Sequence, residues 1–447
     1  MEYQANKDNH QQDFLGSGSY GCVYYPGFNC RGKFNKNKNY VTKIQVNSRA
    51  TKNEIEMSKT IKSLIPNYSH YFNVIYKNCS TNLNKIENAD EISKCDAIYD
   101  HLSMSSDNTK KNNIVLTYNR KIDGVTIKKL SKQVFKLDYD DGYIIKLIHS
   151  IYLKLNKSLQ ILLTANIVHN DLHHSNIMIR ERDNKPIIID FGLAYHKTDK
   201  FIKTFDNMLY SSNFRPEREH DNLDKHIIRF IIEKINDRDR DRDMSYLSTI
   251  VNYDKIKNFL DKDLIQEFKL EIENYLLTTL YQELPGNNEK ALQYLTQAID
   301  RYLYKYTDLN KYKSIYDIFY EIYNNSVFSI DKYSINFMLL EFLSNNKTII
   351  GDNHYFSDYF NFFKQLYIIQ LNPNLEETLT YNQVINYINY IIEQIKKINL
   401  SSLDDYKLIS DIKKYCDKNK ISNILDLYDI DYSYLLNSQI IKLIKQL

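Results

Sequence analysis

Eight residues, His169-Asn170-Asp171-Leu172-His173-His174-Ser175-Asn176, together with the Asp190-Phe191-Gly192 that follows, constrain this chain more than all the rest of it. Asp171 is placed to orient a hydroxyl and accept its proton, Asn176 offers a carboxamide oxygen, and Asp190 offers a second carboxylate. One proton acceptor and two oxygen ligands for a divalent cation are the parts that transfer of a phosphoryl group requires. The flanks explain how such parts are held. Ile177-Met178-Ile179 and Ile187-Ile188-Ile189 are short β-branched runs that predict a strand pair, with Asn184-Lys185-Pro186 as their turn. The polar residues therefore fall at strand ends, on loops carried by a rigid scaffold.

The N-terminal region supplies an independent sign. Of the chain's 10 glycines, three stand at 16, 18 and 21 in Leu15-Gly16-Ser17-Gly18-Ser19-Tyr20-Gly21-Cys22-Val23. Without a Cβ, such positions let backbone N–H groups approach phosphate oxygens. Downstream, Tyr40-Val41-Thr42-Lys43-Ile44-Gln45-Val46 alternates like a half-buried strand carrying one lysine. A helix opening near Asn53 puts Glu54 on one face with Met57, Ser58 and Ile61, whereas Glu56 aligns with Lys59 and Thr60, so Glu54 is the preferred partner for Lys43.

These segments resemble the eukaryotic-type protein kinases, whose Gly-rich loop G-x-G-x-x-G-x-V, strand lysine, catalytic loop and Asp-Phe-Gly they match in order. The resemblance implies an α+β, two-lobed kinase-like fold: a tail over 1–12, a β-rich N-lobe over 13–119, a helical C-lobe over 120–392, and a helical extension over 393–447. It implies ATP held by the loop from 15 to 23, with Lys43 on the phosphates and Glu54 as its partner. Leu116 and Tyr118 would flank the adenine, at a hinge over 117–119. Asn176 and Asp190 would hold Mg²⁺ or Mn²⁺, and Asp171 would act as base toward a seryl or threonyl hydroxyl of a protein substrate.

The same comparison predicts strands over 71–76 and 114–118, a flexible polar insertion over 80–112, and a long helix over 144–163. Phe214-Arg215-Pro216-Glu217 resembles the kinase A-P-E segment. For the buried helix that follows, Asp331-Lys332-Tyr333-Ser334 is preferred over Asp224, which leaves a helical insertion over 218–330. Thr378 then stands where an arginine would pair with Glu217. The residue bias, with 39 Tyr and no Trp, and the variant catalytic loop resemble serine/threonine kinases of giant DNA viruses of amoebae.

Two departures bear on chemistry. Asn170 replaces the arginine that in many kinases pairs with a phosphorylated loop. His173 replaces a lysine that would neutralise the transferring group, which imidazole does only when protonated or as a hydrogen-bond donor. Small-molecule kinases of the aminoglycoside and choline type also write His-x-Asp-x-His, and an inactive pseudokinase scaffold is a third class.

A net charge of +3 with 26% charged residues gives no basic tract for nucleic acid, and Asp237-Arg238-Asp239-Arg240-Asp241-Arg242-Asp243 cancels itself. Cys22, Cys30, Cys79, Cys95 and Cys416 are odd in number and scattered, so reduced thiols are expected. The start is polar and no run of 18 apolar residues occurs, so the expectation is an intracellular chain, in host cytoplasm if viral, without secretion or a membrane span. ATP and a protein substrate are the expected partners, with no nucleic acid or membrane; oligomeric state is left open.

Overall fold

The computed structural model describes residues 13–18, 21–35, 37–87, 113–134, 141–197 and 330–344, together with short pieces within 92–98, 221–233, 266–271 and 320–321. The expectations placed at 1–12, Ser19, Tyr20, Phe214 to Glu217, Asp224, Thr378 and 393–447 lie outside the described residues, as does most of 218–330. Two compact units divide the chain, Met1–Leu130 with Gln160–Thr198, and Ser131–Leu159 with Asp199–Leu447.

In the first unit, β1 (Asp13–Gly18), β2 (Gly21–Tyr25), β3 (Tyr40–Val46), β5 (Lys77–Asn82) and β6 (Asn113–Arg120) form one antiparallel sheet in the order β1-β2-β3-β6-β5. Helix α1 (Arg49–Leu64) starts where Ser48 accepts the Thr51 amide, an N-cap that satisfies one of the first turn's unpaired donors. Its buried face repeats at helical spacing: Ala50, Asn53, Glu54, Met57, Ser58 and Ile61.

The segment 71–76 contributes only β4 (Phe72–Asn73) and does not join this sheet. The strand beside β6 is instead β5, whose Lys-Asn-Cys-Ser-Thr-Asn sequence carries no apolar alternation. It is an edge strand, largely open to water, so hydrophobic patterning has little to act on there.

The period of two along each strand assigns its side chains to opposite faces. Cys22, Tyr24, Ile44, Ile114, Leu116 and Tyr118 share the outer face, where they pack with Phe28 against Ile86, Ile92, Cys95 and Ile98. Within the predicted insertion, Ile86, Ile92, Cys95 and Ile98 are therefore a packed cover over the sheet, while Asn84, Lys85, Glu87, Lys94 and Asp96 are exposed. Cys22 is bonded to Cys95 and Cys30 to Cys79, each pair with Cα atoms 5.9 Å apart. This corrects the expectation of reduced thiols: the sheet and its cover bring together sulfurs separated by 73 and 49 residues, a proximity that spacing along the chain does not reveal. Cys416 lies outside the described residues.

A second sheet, in the order β4-β10-β9-β7, carries the catalytic-loop region on β7 (Gly124–Thr126), β9 (Ile177–Arg180) and β10 (Lys185–Ile189). The expected turn falls earlier than 184–186, because Lys185 and Pro186 already belong to β10. Pro186 is tolerated where β10 pairs with β9 alone; the β4 pairing begins at Ile188. The short β8 (Ile167–Val168) and β11 (Tyr195–His196) form a further pair.

Helix α2 (Ile127–Val134) follows β7, and α3 (Asp141–Thr164) spans the predicted 144–163. In the second unit, α4 (Ile330–Ser344) buries each side chain from Ile330 to Leu339, Asp331 included. Tyr152 of α3 donates to Asn336 Oδ1 of α4 at 2.8 Å. Asp221 accepts from both Lys225 and Arg229, forming a buried charge cluster.

Candidate active site

Strand register brings the first parts together. Val23, Lys43 and Thr117 lie side by side across β2, β3 and β6, on the face opposite the outer cover. Lys43 Nζ stands 3.2 Å from Glu54 Oε2 and 3.1 Å from Asp190 Oδ2. Glu54, one turn into α1, is the glutamate that reaches the lysine, while Glu56 is exposed. The same carboxylate oxygen accepts Gln45 Nε2 at 3.1 Å, and Gln45 also donates to Thr117 Oγ1 at 3.0 Å. Gln45 escaped sequence reasoning, yet its position two residues from Lys43 on one strand already put it on the same face.

Burial opposes the charge on Lys43, but the adjacent Asp190 and Glu54 carboxylates outweigh it and hold the ammonium well above its ordinary value. Burial also opposes the charge on Asp190, and there Lys43 prevails, holding the carboxyl below its ordinary value. On Glu54 burial prevails over Lys43 and pushes the carboxyl up. The Asp190 side chain is 37% accessible, whereas that of Glu54 is buried.

The loop 169–176 is braced from within. Asp171 N–H donates to His169 Nδ1 at 3.3 Å, which leaves the ring proton on Nε2, 3.0 Å from the Ile189 carbonyl. Asn176 Nδ2 donates to the Asp171 main-chain oxygen at 2.8 Å and to Asp171 Oδ2 at 3.3 Å. The Ile189 amide in turn donates to the Asn176 carbonyl at 2.9 Å, so the two strands fix the loop and Asp190 relative to each other. His173 Nδ1 accepts the Ser175 amide at 3.2 Å, and its Nε2 lies 3.9 Å from Asp171 Oδ2. That bond places the ring proton on Nε2, on the Asp171 side.

Asn170 and Asp190 have φ of 65° and 62°. Asparagine and aspartate enter the left-handed region at lower cost than other side chains, and residues held there gather at functional sites.

The Gly-rich hairpin closes between Gly18 and Gly21. A Cβ at Gly16 would meet nothing within 4 Å, whereas one at Gly21 would lie 2.0 Å from the Ile44 carbonyl oxygen. Gly16 thus faces open space, and Gly21 is required by close packing on β3. Leu15 is exposed at a bulge in β1, and Ser17 pairs with Cys22.

Three predicted contributors are not brought here. Leu116, Tyr118 and Cys22 point to the outer face, because the strand period turns them away from Lys43. Tyr118 lies beside Cys30 and Cys79, and burial pushes its phenol up to about 12. The expected hinge over 117–119 is also strand: β6 pairs with β3 throughout 40–46 and with β5 up to Tyr118.

As a cation site the donor set is oxygen-rich. With Asn176 Nδ2 committed to Asp171, Oδ1 is the atom of that residue suited to a hard cation, and Asp190 supplies an ionised carboxylate. Among the described residues no group of three or more His, Cys, Asp or Glu is arranged to hold a metal. Two protein ligands fit Mg²⁺, which takes its remaining oxygens from water and substrate phosphates.

Residues 42–221 match the family described as the ABC1 atypical kinase-like domain. A stretch of 59 residues is 42% identical to the EKC/KEOPS complex subunit bud32 of Dictyostelium discoideum, covering 13% of this chain and 23% of that protein. The chain therefore spans about a quarter of the length of the curated relative it matches. The kinase domain of BubR1 aligns at 15% identity with a TM-score of 0.29, over 44% of this chain and 51% of that one. The fold is kinase-like, and the match over residues 42–221 is to a kinase-like domain. No helix among the described residues is long and apolar enough to cross a membrane.

Proposed function

We propose that this chain transfers the γ-phosphoryl group of ATP to a seryl or threonyl hydroxyl of a protein substrate. The observation that carries the reading is Lys43 meeting Glu54 and Asp190 at once, which joins the sheet, α1 and the Asp190 loop in one geometry. Lys43 and the Gly16 to Gly21 hairpin would hold the phosphates. Asn176 and Asp190 would hold Mg²⁺ or Mn²⁺, which neutralises charge on the phosphate oxygens. Asp171 orients the acceptor hydroxyl and takes its proton, while Asn176 fixes the carboxylate for that task.

A second reading, phosphorylation of a small alcohol, is favoured by His173 standing where it adjoins Asp171. Purified protein incubated with labelled ATP, Mg²⁺ or Mn²⁺, casein, myelin basic protein, choline and an aminoglycoside separates the possibilities. Label on protein seryl or threonyl residues is expected. Label confined to a small alcohol replaces the substrate class, and neither label nor ATP binding leaves an inactive scaffold.

A further inference from the structure

Two asparagines outside the ion pair and the metal ligands converge on the Asp190 segment. Asn53 Nδ2 donates to the Gly192 carbonyl at 2.9 Å and to the Ala194 carbonyl at 2.7 Å. Asn170 Nδ2 donates to the intervening Leu193 carbonyl at 3.3 Å. Three successive carbonyls beyond Phe191 are thus bound by side-chain amides, and both asparagines are buried, with 7% and 3% exposure. Asn53 comes from α1 and Asn170 from the loop that bears Asp171, so the segment is gripped from two elements.

The placement of Asn53 has a further effect. It immediately precedes Glu54, so one turn of α1 fixes both the partner of Lys43 and the segment that carries Asp190. Packing alone does not require this: a leucine at 53 would satisfy a buried helix face, but would leave the Gly192 and Ala194 carbonyls without those donors in a place closed to water. Asp190 meanwhile holds a left-handed conformation that surrounding structure must impose.

We infer that Asn53 and Asn170 are positioning residues that clamp the backbone of 192–194 and thereby hold Asp190 where it ligates the metal. The inference rests on the phosphotransfer reading for what Asp190 does, and on geometry alone for the clamp. Each carboxamide removed leaves a buried carbonyl unsatisfied, so loss of either loosens the segment.

The test uses the full chain with N53L, with N170G, which keeps the positive φ accessible, and with both. Two quantities are read: peptide-level hydrogen exchange over 189–196, and ADP affinity with and without Mg²⁺. Exchange over 189–196 should quicken in each variant while β3 and β9 keep their rates. Affinity for Mg–ADP should drop about tenfold and metal-free ADP affinity should stay within twofold. Unchanged exchange together with unchanged Mg²⁺ dependence overturns the clamp. Should N53L fail to fold, N170G alone decides by the same two criteria. A wild-type protein that binds no nucleotide in either condition defeats the phosphotransfer reading, and the exchange rates then decide the clamp by themselves.

Discussion

Gln45 and Glu54 share a hydrogen bond of 3.1 Å on the very oxygen that faces Lys43, so a neutral strand residue fixes the carboxylate that fixes the lysine. Gln45 is 1% exposed, and Thr51 Oγ1 in turn donates to its Oε1 at 3.2 Å. Replacing Gln45 by Leu should weaken ATP binding about three- to tenfold, in line with about 0.6–1.4 kcal/mol for a buried hydrogen bond. Isothermal titration with ATP checks this, and an unchanged affinity would show that Lys43 and Asp190 suffice to hold Glu54.

Asp171 and Asp190 should fail differently. Asp171→Asn removes the proton acceptor and leaves phosphate and metal ligands in place, so transfer should stop while ATP still binds. Asp190→Ala should weaken Mg–nucleotide binding as well as rate. Turnover near normal in the first variant, or an unaltered Mg²⁺ requirement in the second, refutes the corresponding role.

In the proposed transfer His173 would act as a hydrogen-bond donor through Nε2, since its Nδ1 accepts the Ser175 amide. His173→Ala should therefore lower kcat about tenfold, and His173→Gln, which keeps an N–H donor, should recover part of the loss. The wild-type rate should show no inflection between pH 6 and 8.5 that is lost in the Gln variant. A rate that falls with pH only when histidine is present would mean that imidazolium is the active form.

The two disulfides predict a redox-dependent stability. The bridges close loops of 73 and 49 residues, one inside the other. A lone bridge of such span contributes roughly 4 kcal/mol, and a nested pair less than twice that. Urea midpoints should fall on adding a strong reductant, and peptide mapping without reductant should recover 22–95 and 30–79 as linked pairs. Recovery of all five cysteines as thiols from untreated protein would contradict the pairing.

Lys332 sets a pH dependence of the second unit. Burial pulls its amine down to about 7 from an ordinary 10.5. The unfolded chain then binds the proton more tightly than the folded one between those values, so folding stability should rise as pH climbs from about 7 toward 10.5, and the destabilisation should be complete below 7. The change is on the order of a few kcal/mol at most. Lys332→Met should abolish that rise in denaturant titrations at pH 7 and 9. An equal rise in both proteins assigns it elsewhere.

Sequence showed the parts of the site whose signal is local. Gly16 to Gly21, Lys43, Asp171, Asn176 and Asp190 each sit in a short motif whose residue types suggest the proposed chemistry, and the α+β kinase-like fold follows from their order. It hid what depends on pairing. The polar edge strand Lys77–Asn82 carries no period, and Leu116 and Tyr118 have the right neighbours but the wrong face. Asn53 and Gln45 read as ordinary polar residues until distant carbonyls and carboxylates come within reach. The disulfides belong to the same class, being contacts between remote segments rather than spacings.

The cover over the outer sheet face carries a practical consequence for anyone reshaping this chain. Read by composition, 83–112 invites deletion as a dispensable polar loop. Cutting it would strip Ile86, Ile92 and Ile98 from the sheet, leave Cys22 without its mate, and open Tyr24, Ile44, Ile114 and Leu116 to water. A contiguous apolar patch beside an exposed edge strand is what draws copies of a chain into aggregates. A trimmed version would therefore precipitate before its nucleotide site could be assayed, and its inactivity would say nothing about catalysis.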